Sequence, residues 1–127
     1  MLTAANNRDL KGLENAYAPN LAYHGTGDLA ETDRSGFLQF AEAMFAAFPD
    51  VSVTIDDVFS SGDKVVYRIT IKGTHRAELM GISATNKAMS VRSIGIARVS
   101  DGKIVEEWEN FDDMGMMMQL GAVHMAH

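Results

Sequence analysis

The chain contains no cysteine, which excludes disulfide bonds, thiolate zinc sites and a cysteine nucleophile. None of its apolar runs is long enough to span a membrane, and its first residues lack the basic and then apolar order of a signal peptide. Basic residues are scarce: 11 Lys and Arg against 17 Asp and Glu give a net charge of −6. That balance argues against a nucleic-acid partner, because phosphate binding needs a basic surface. These absences favour a soluble, cytoplasmic protein without a membrane partner.

The composition that remains is typical of a folded globular protein. The chain has 127 residues, of which 46% are hydrophobic and 22% are charged. This length supports one hydrophobic core and is too short for two independent ones. We therefore expect residues 1–127 to form a single domain.

Helical periodicity dominates the first third of the chain. A short amphipathic helix is predicted to begin after Asp9 and to end before Pro19. A longer helix is predicted between a cap at Asp33 or Ser35 and Pro49, which cannot continue it. The apolar stripe of this longer helix consists of Phe37, Phe40, Ala41, Met44, Phe45 and Phe48.

The rest of the chain follows the two-residue period of strands. Strands are predicted over residues 51–55, 64–72, 89–99 and 104–111, with a short one over 21–24 between the two helices. Residues 113–120 are compatible with a final helix that Gly121 caps. This order predicts an α+β fold in which helices pack on one face of a curved, mostly antiparallel sheet.

Several short motifs give the chain a family resemblance. They include Gly73-Thr74-His75, Asp101-Gly102-Lys103, a Trp-x-x-x-Asp-x-x-Gly pattern from Trp108 to Gly115, and Gln119-Leu120-Gly121. In this order they resemble the SnoaL-like polyketide cyclases over nearly the whole chain. In that family the first helix begins about two to three turns earlier, so we expect the sequence to start inside that helix.

The resemblance implies a cone-shaped α+β fold, shared with ketosteroid isomerase and scytalone dehydratase, whose curved sheet and helices enclose a deep apolar pocket. It also implies an intramolecular aldol condensation that uses an aspartate as acid and base and needs neither a metal nor an organic cofactor. No His, Asp and Glu spacing in the sequence indicates a metal site.

Asp112 is the first catalytic candidate. Strict alternation along the last predicted strand places Glu107 and Glu109 on one face, which we expect to be the outer one. The opposite face, expected to point into the pocket, carries Ile104, Trp108, Asn110 and Asp112. Spacing alone favours Asp112 as the N-cap of the final helix, whereas the resemblance favours it as the acid/base.

Histidine and arginine provide further candidates. His75 and His24 each end a predicted strand and could donate a hydrogen bond to a substrate carbonyl. The alternative for both is a histidine bonded to nearby backbone. Arg92 could face either the pocket beside Asp112 or the outside, and the sequence leaves this open.

The predicted pocket wall is made of apolar and aromatic residues. Met44, Phe45 and Phe48 are expected mainly to pack in the hydrophobic core and secondarily to line the pocket. Tyr17, Tyr67 and Trp108 could donate hydrogen bonds to a flat ligand, although packing is the commoner use of such residues. A methionine-rich wall suits a bulky, weakly polar ligand.

The sequence and the resemblance together favour a cofactor-independent cyclase acting on a small, apolar, carbonyl-containing ligand. Isomerase, dehydratase and epoxide hydrolase chemistry in the same pocket remain alternatives, as does a domain that binds a small molecule without catalysis. We also expect a homodimer or higher homo-oligomer through the outer face of the sheet, where Ile94, Ile96 and Phe111 could supply surplus apolar surface.

Overall fold

The computed structural model describes residues 5–122. Their order confirms the predicted sequence of helix, strand, helix and then long strands. The elements are α1 (Leu10–Ala16), β1 (Tyr17–His24), a 3-10 turn (Gly27–Leu29), α2 (Arg34–Ala47), β2 (Ser52–Ser61), β3 (Lys64–Thr74), β4 (Ala88–Ser100), β5 (Lys103–Phe111) and α3 (Asp113–Leu120).

The five strands form one open sheet in the order β1-β5-β4-β3-β2. The strands from β2 to β5 pair with one another antiparallel, and β1 joins β5 in parallel. The helices pack on the concave face of this curved sheet. The predicted cone-shaped α+β class is thereby confirmed.

Each of the helices α1, α2 and α3 begins at an aspartate that accepts a hydrogen bond from the first turn. Asp9 accepts from the amide of Gly12 at 3.0 Å, and Asp33 accepts from the amide of Gly36 at 2.9 Å. At the start of α3, Asp112 plays the same part. Such caps satisfy backbone amides that have no partner within the helix, which fixes where the helix starts.

Two groups of buried side chains anchor the helices to the sheet. One joins the end of α2 to α3 and β4 through Phe48, Met89, Val91, Met116 and Leu120. The other joins α1 and α2 to β1 and β5 and contains Leu13, Tyr17, Tyr23 and Ile104. Phe45 of α2 packs against both groups.

The first strand is longer than predicted. Helix α1 ends at Ala16, and β1 runs from Tyr17 through Pro19 to His24 rather than over residues 21–24 alone. Proline is tolerated there because β1 is an edge strand of the sheet, and its pairing with β5 is irregular between Tyr17 and Ala22. Because of this extension, Tyr17 is the first residue of β1, and its side chain packs in the same buried group as Leu13 of α1.

Candidate functional site

A cavity of about 370 Å³ lies between the concave face of the sheet and α2. Its wall is mostly apolar, with contributions from all five strands. The polar side chains in the wall are the hydroxyl groups of Tyr17, Tyr23, Thr26 and Tyr67 and the carboxyl groups of Glu107, Glu109 and Asp113. No lysine, arginine or histidine lines the cavity in the part of the chain that the structure describes.

Glu107 is the most deeply placed of the carboxylates. It is a charged side chain in the core, only 2% exposed. The hydroxyl of Tyr17 donates to its Oε1 at 2.9 Å, and the hydroxyl of Tyr67 donates to its Oε2. Both oxygens therefore have a donor, as a buried carboxyl group requires.

Glu109 lies two residues further along β5 and lines the same cavity. The hydroxyl of Tyr23 donates to its Oε1 at 2.5 Å, and the hydroxyl of Ser93 donates to its Oε2 at 2.5 Å. Glu109 is only partly buried, because part of its side chain faces the cavity. The two glutamates thus form a neighbouring pair in which each of the four carboxyl oxygens accepts a hydrogen bond from one hydroxyl group.

Burial raises the pKa of both glutamates. For Glu107 the loss of solvent is the largest cause and the charge of Glu109 adds to it, so that its pKa rises to about 8 despite the two tyrosine hydrogen bonds. For Glu109 burial again dominates, against the hydrogen bonds from Ser93 and Tyr23 that favour the ionised form. The pair therefore tends to hold a proton near neutral pH.

The same burial keeps the tyrosines protonated. Loss of solvent raises the pKa of Tyr17, Tyr23 and Tyr67, and the neighbouring carboxylates raise it further. Their hydroxyl groups therefore keep their protons and can donate to the glutamate pair.

Small residues on β4 make room for this network. Gly95 pairs with Tyr67 on one side and with Glu109 on the other. A methyl group on Gly95 would overlap the Tyr67 hydroxyl, so glycine is required for that hydroxyl to cross β4 and reach Glu107. The inward-facing Ser93, two residues earlier, supplies the donor to Glu109.

The orientation predicted for the last strand is wrong. Trp108, Asn110 and Asp112 are exposed and do not line the cavity, whereas Glu107 and Glu109 do. Phe111, expected on the outer face, lines the cavity as well. Asp112 caps α3 instead, with its Oδ1 accepting from the amide of Gly115 at 2.9 Å. Asp112 therefore lies outside the cavity, contrary to the prediction from the sequence.

A β-bulge explains the error. Val99 pairs with Ile104 and Arg98 pairs with Glu106, which leaves Val105 as an extra residue in β5. Because a bulge shifts the alternation by one position, the buried Ile104 shares its face with Glu107 rather than with Trp108. Strict counting from Ile104 consequently assigned the wrong face.

The predicted histidines and arginine lie outside the cavity. His24 stacks on Trp108 at 5.4 Å and contacts the carboxylates of Glu31 at 2.5 Å and Glu106 at 2.8 Å. Arg92 is exposed and does not line the cavity. Neither residue is brought to the glutamate pair.

His75 is buried but supports a loop rather than the cavity. Its Nδ1 accepts from the amide of Thr85 at 3.2 Å and lies 3.0 Å from the hydroxyl of the same residue. Its ring lies 5.5 Å from that of Phe48, which is also fully buried and does not line the cavity. Of the other predicted wall residues, Met44, Phe45 and Tyr67 do line it.

Sequence reasoning missed the glutamate pair, Asp113 and the donors Tyr23 and Ser93. It predicted Tyr17 as a donor to a ligand, whereas the Tyr17 hydroxyl donates to Glu107. One signal could have found the inward face. The alternate β4 residues Ser93, Gly95 and Ala97 are all small, while those between them are large or charged, as expected where a strand passes under other side chains. The β5 residues that pair with these small β4 residues then face the same cavity.

Two further properties bear on the possible chemistry. Within residues 5–122 no three His, Asp or Glu side chains are arranged to hold a metal ion. None of the described helices is long and apolar enough to cross a membrane.

A model of the SnoaL-like polyketide cyclase family matches residues 1–120. The chain belongs to this family. IdmH of Streptomyces antibioticus, a proposed polyketide cyclase, is 34% identical with a TM-score of 0.82, over 94% of this chain and 92% of IdmH. No curated protein sequence matches the chain significantly.

Two other solved structures show how widely this family's fold is used. AclR of Streptomyces galilaeus, a proposed hydroxylase, is 27% identical with a TM-score of 0.87, over 97% of this chain and 91% of AclR. A protein of ketosteroid isomerase-like fold from Catenulispora acidiphila is 17% identical with a TM-score of 0.79, over 96% of this chain and 89% of its own. The latter likeness shows the fold alone.

Proposed function

We propose that the protein is a polyketide cyclase-like enzyme that closes a ring by intramolecular aldol condensation of a small, apolar, carbonyl-rich substrate in this cavity. The observation that carries the proposal is the pair Glu107 and Glu109, two carboxyl groups with raised pKa in a mostly apolar wall. Membership of the SnoaL-like family supports the reaction class. Acid–base groups tuned in this way are a common feature of enzymes that move protons to and from carbon.

The environments of the two glutamates suggest different roles. Glu109 is open to the cavity, and its charge helps to raise the pKa of Glu107, so Glu109 is the member of the pair that ionises first. We assign it as the base. Glu107, with a pKa of about 8, is mostly protonated at neutral pH and serves as the acid.

The reaction then balances with these two groups. Glu109 removes a proton from the carbon between two substrate carbonyls, and the resulting enolate carbon forms a bond to a third carbonyl carbon. The new alkoxide takes its proton from Glu107. Proton exchange between the two carboxyl groups, or with solvent, restores the starting state.

This chemistry needs no cofactor. A C–H group between two carbonyls is already acidic, so a positioned base in a water-poor cavity is sufficient to form the enolate. The apolar wall, including Met44 and Phe45, would hold the folded substrate with its reacting carbons together.

Two neighbouring chemistries differ in how well the site suits them. Isomerisation or dehydration would use the same glutamate pair without forming a carbon–carbon bond, and the cavity accommodates either. Epoxide hydrolysis would need an arginine between two carboxylates, and no arginine lines the cavity among the described residues. A domain that binds a ligand without catalysis would leave the pair unused.

The test is a cyclisation assay on a soluble 1,3-dicarbonyl polyketide mimic, followed by absorbance and mass spectrometry. Wild type should cyclise the mimic, and Glu109→Gln should lose at least about a hundredfold in turnover because it lacks the base. Glu42→Gln is the matched control, since Glu42 is exposed on α2 and does not line the cavity. Equal turnover by wild type and Glu109→Gln would exclude the proposed role.

We further propose that the protein is a homodimer through the outer face of its sheet. A row of neighbouring side chains, Phe59, Val66, Ile96 and Trp108, crosses that face from β2 to β5. Phe59 is 60% exposed, Ile96 37% and Trp108 36%. A second copy of the chain could cover this row, because a two-fold interface uses the same patch on both subunits.

A further inference from the structure

The cavity is closed at one end and open to solvent on another side. At the closed end, Tyr17 and Glu107 line the wall and are almost completely buried. On the open side the wall includes three apolar side chains that solvent still reaches: Ile55 is 42% exposed, Val58 51% and Met80 48%. These three residues are called the open rim below. The hydrogen-bonded carboxyl group of Glu107 therefore lies deep, and the rim is apolar.

A β-bulge makes the β2 part of the open rim apolar. Ile55 and Val58 both line the cavity although an odd number of positions separates them, which strict alternation along a strand does not allow. The pairing of β2 with β3 shifts between Ile55 and Asp57, which leaves Asp56 as an extra residue. Oδ2 of Asp56 accepts from the hydroxyl of Thr70 at 2.5 Å, and neither aspartate lines the cavity. The bulge thus brings Val58 to the wall where alternation alone would place Asp57.

Met80 reaches the cavity from an unfavourable backbone position. Leu79 and Ile82 exchange two backbone hydrogen bonds, at 3.0 and 2.8 Å, so Met80 and Gly81 form a two-residue turn between β3 and β4. The φ angle of Met80 is +49°, in the left-handed region that favours glycine or asparagine. The turn itself therefore does not account for a methionine. The contact of its side chain with the cavity does, because methionine adapts its shape to an apolar ligand.

The open rim limits what a ligand can place there. None of its side chains donates or accepts a strong hydrogen bond, so a charged or strongly polar group of the ligand would lose water there without compensation. An apolar group, in contrast, gains free energy by removing half-exposed apolar side chains from water. A flexible alkyl chain therefore suits the rim, and the reacting carbonyl groups belong further in, beside the glutamate pair.

We infer that the substrate of this cavity is elongated, with its reacting carbonyl groups toward the closed end and an alkyl tail that lies across the open rim of Ile55, Val58 and Met80. The inference rests on the proposed function in taking carbonyl groups as the reacting part of the substrate. It concerns binding and orientation, so it is tested with compounds that do not cyclise. The rim residues bind the tail and take no part in proton transfer.

The experiment measures how affinity depends on tail length. The probes are methyl esters of β-keto acids with propyl, pentyl, heptyl and nonyl tails, which carry only two carbonyl groups and cannot close a ring by aldol condensation. Titration calorimetry gives their dissociation constants. For wild type we expect the constant to fall roughly fourfold with each two-carbon step, because the added CH₂ groups are partly buried on the rim.

A double variant locates the effect at the open rim. Val58→Thr combined with Met80→Gln makes the rim polar at nearly constant side-chain size. It should reduce the gain to less than about twofold per step, while the affinity for the propyl compound changes less than about twofold. The matched control combines Ile94→Thr with Met118→Gln, because Ile94 and Met118 are also exposed but do not line the cavity. This control should keep the gain of wild type.

The outcomes separate this inference from the aldol proposal. Affinity that does not depend on tail length in wild type, or a gain per step that is equal in wild type and the rim variant, would overturn the inference. Either result would leave the aldol proposal standing, because that proposal is judged by turnover of a polyketide mimic. A gain that is lost in the rim variant, together with no cyclisation by wild type, would support the tail and contradict the aldol reaction.

Discussion

Tyr67 on β3 donates its hydroxyl to Oε2 of Glu107 on β5, two strands away, by passing over Gly95 of the intervening strand. This hydrogen bond favours the ionised form of Glu107 and opposes the effect of burial. The acidity of the deepest carboxyl group is therefore set partly by a residue that is remote in sequence. Tyr67 acts through Glu107 and is a positioning residue in this account.

Replacing Tyr67 with Phe should shift the high-pH limb of the profile of kcat/KM against pH. The proposed reaction needs Glu109 ionised and Glu107 protonated, so activity should fall at high pH as Glu107 ionises. Without the Tyr67 hydroxyl the pKa of Glu107 rises, and the upper limb should move up by about one pH unit. The measurement is kcat/KM for the cyclisation as a function of pH.

Ser93→Ala provides the contrasting variant, because Ser93 donates to Glu109 rather than to Glu107. Loss of that donor raises the pKa of Glu109, so the lower limb should move up while the upper limb stays in place. If the two variants shifted the same limb, or neither limb, the separate roles of the two glutamates would be wrong.

Stability should also depend on Glu107. Its carboxyl group holds a proton more tightly in the folded chain than in the unfolded one, so its stabilising contribution is complete below the unfolded pKa and is lost as pH rises toward about 8. The resulting change in the free energy of unfolding is on the order of 5 kcal/mol. Relative to wild type, Glu107→Gln should therefore gain in free energy of unfolding between about pH 5 and about pH 9.

Denaturant unfolding at several pH values measures this trend, with Glu42→Gln as the variant whose difference from wild type should stay constant. Only the slope against pH is used, because glutamine cannot reproduce both hydroxyl contacts and will change stability by a fixed amount. Parallel curves for wild type and Glu107→Gln would show that Glu107 titrates normally.

The oligomeric state can be tested on the outer face of the sheet. Ile96→Glu places a charge in the middle of the apolar row between Val66 and Trp108, so it should convert the dimer to a monomer in sedimentation velocity at micromolar concentration. Gln39→Glu adds the same charge to an exposed position of α2 and should leave the dimer intact. A wild-type protein that sediments as a monomer would contradict the proposal.

Replacing Asp112 distinguishes its role as a helix cap from the acid/base role that the family resemblance implies. Since asparagine caps a helix about as well as aspartate, Asp112→Asn should keep turnover within about twofold. If Asp112 were the acid/base, the same change should lower turnover at least about a hundredfold. The cyclisation assay distinguishes the two directly.

Much of the fold could be predicted from local patterns. Asp9 and Asp33 start their helices as expected, because a capping side chain and an apolar stripe lie close together in sequence. The hairpin turn before Lys103 likewise depends on a few adjacent residues. Helix positions, strand order in sequence and the α+β class are all properties of this kind.

The candidate site depended on features that local patterns do not contain. The extra residue Val105 in β5 reverses the alternation, and it is visible only once Arg98 and Glu106 are paired. Two adjacent glutamates on one face also indicate an outer surface, since charged residues are rarely buried without partners. Here the partners are Tyr17, Tyr23, Tyr67 and Ser93, which come from three other strands.

The most direct test of the central claim, that the buried glutamate pair moves protons at carbon, is deuterium exchange into a substrate analogue that cannot cyclise. Methyl naphthoylacetate in D₂O exchanges the hydrogens between its two carbonyls, and proton NMR follows the rate above background. Wild type and Asp112→Asn should accelerate exchange equally, and Glu109→Gln should be slower by about a hundredfold or more. Exchange that survives in Glu109→Gln, or that is lost in Asp112→Asn instead, would contradict the account.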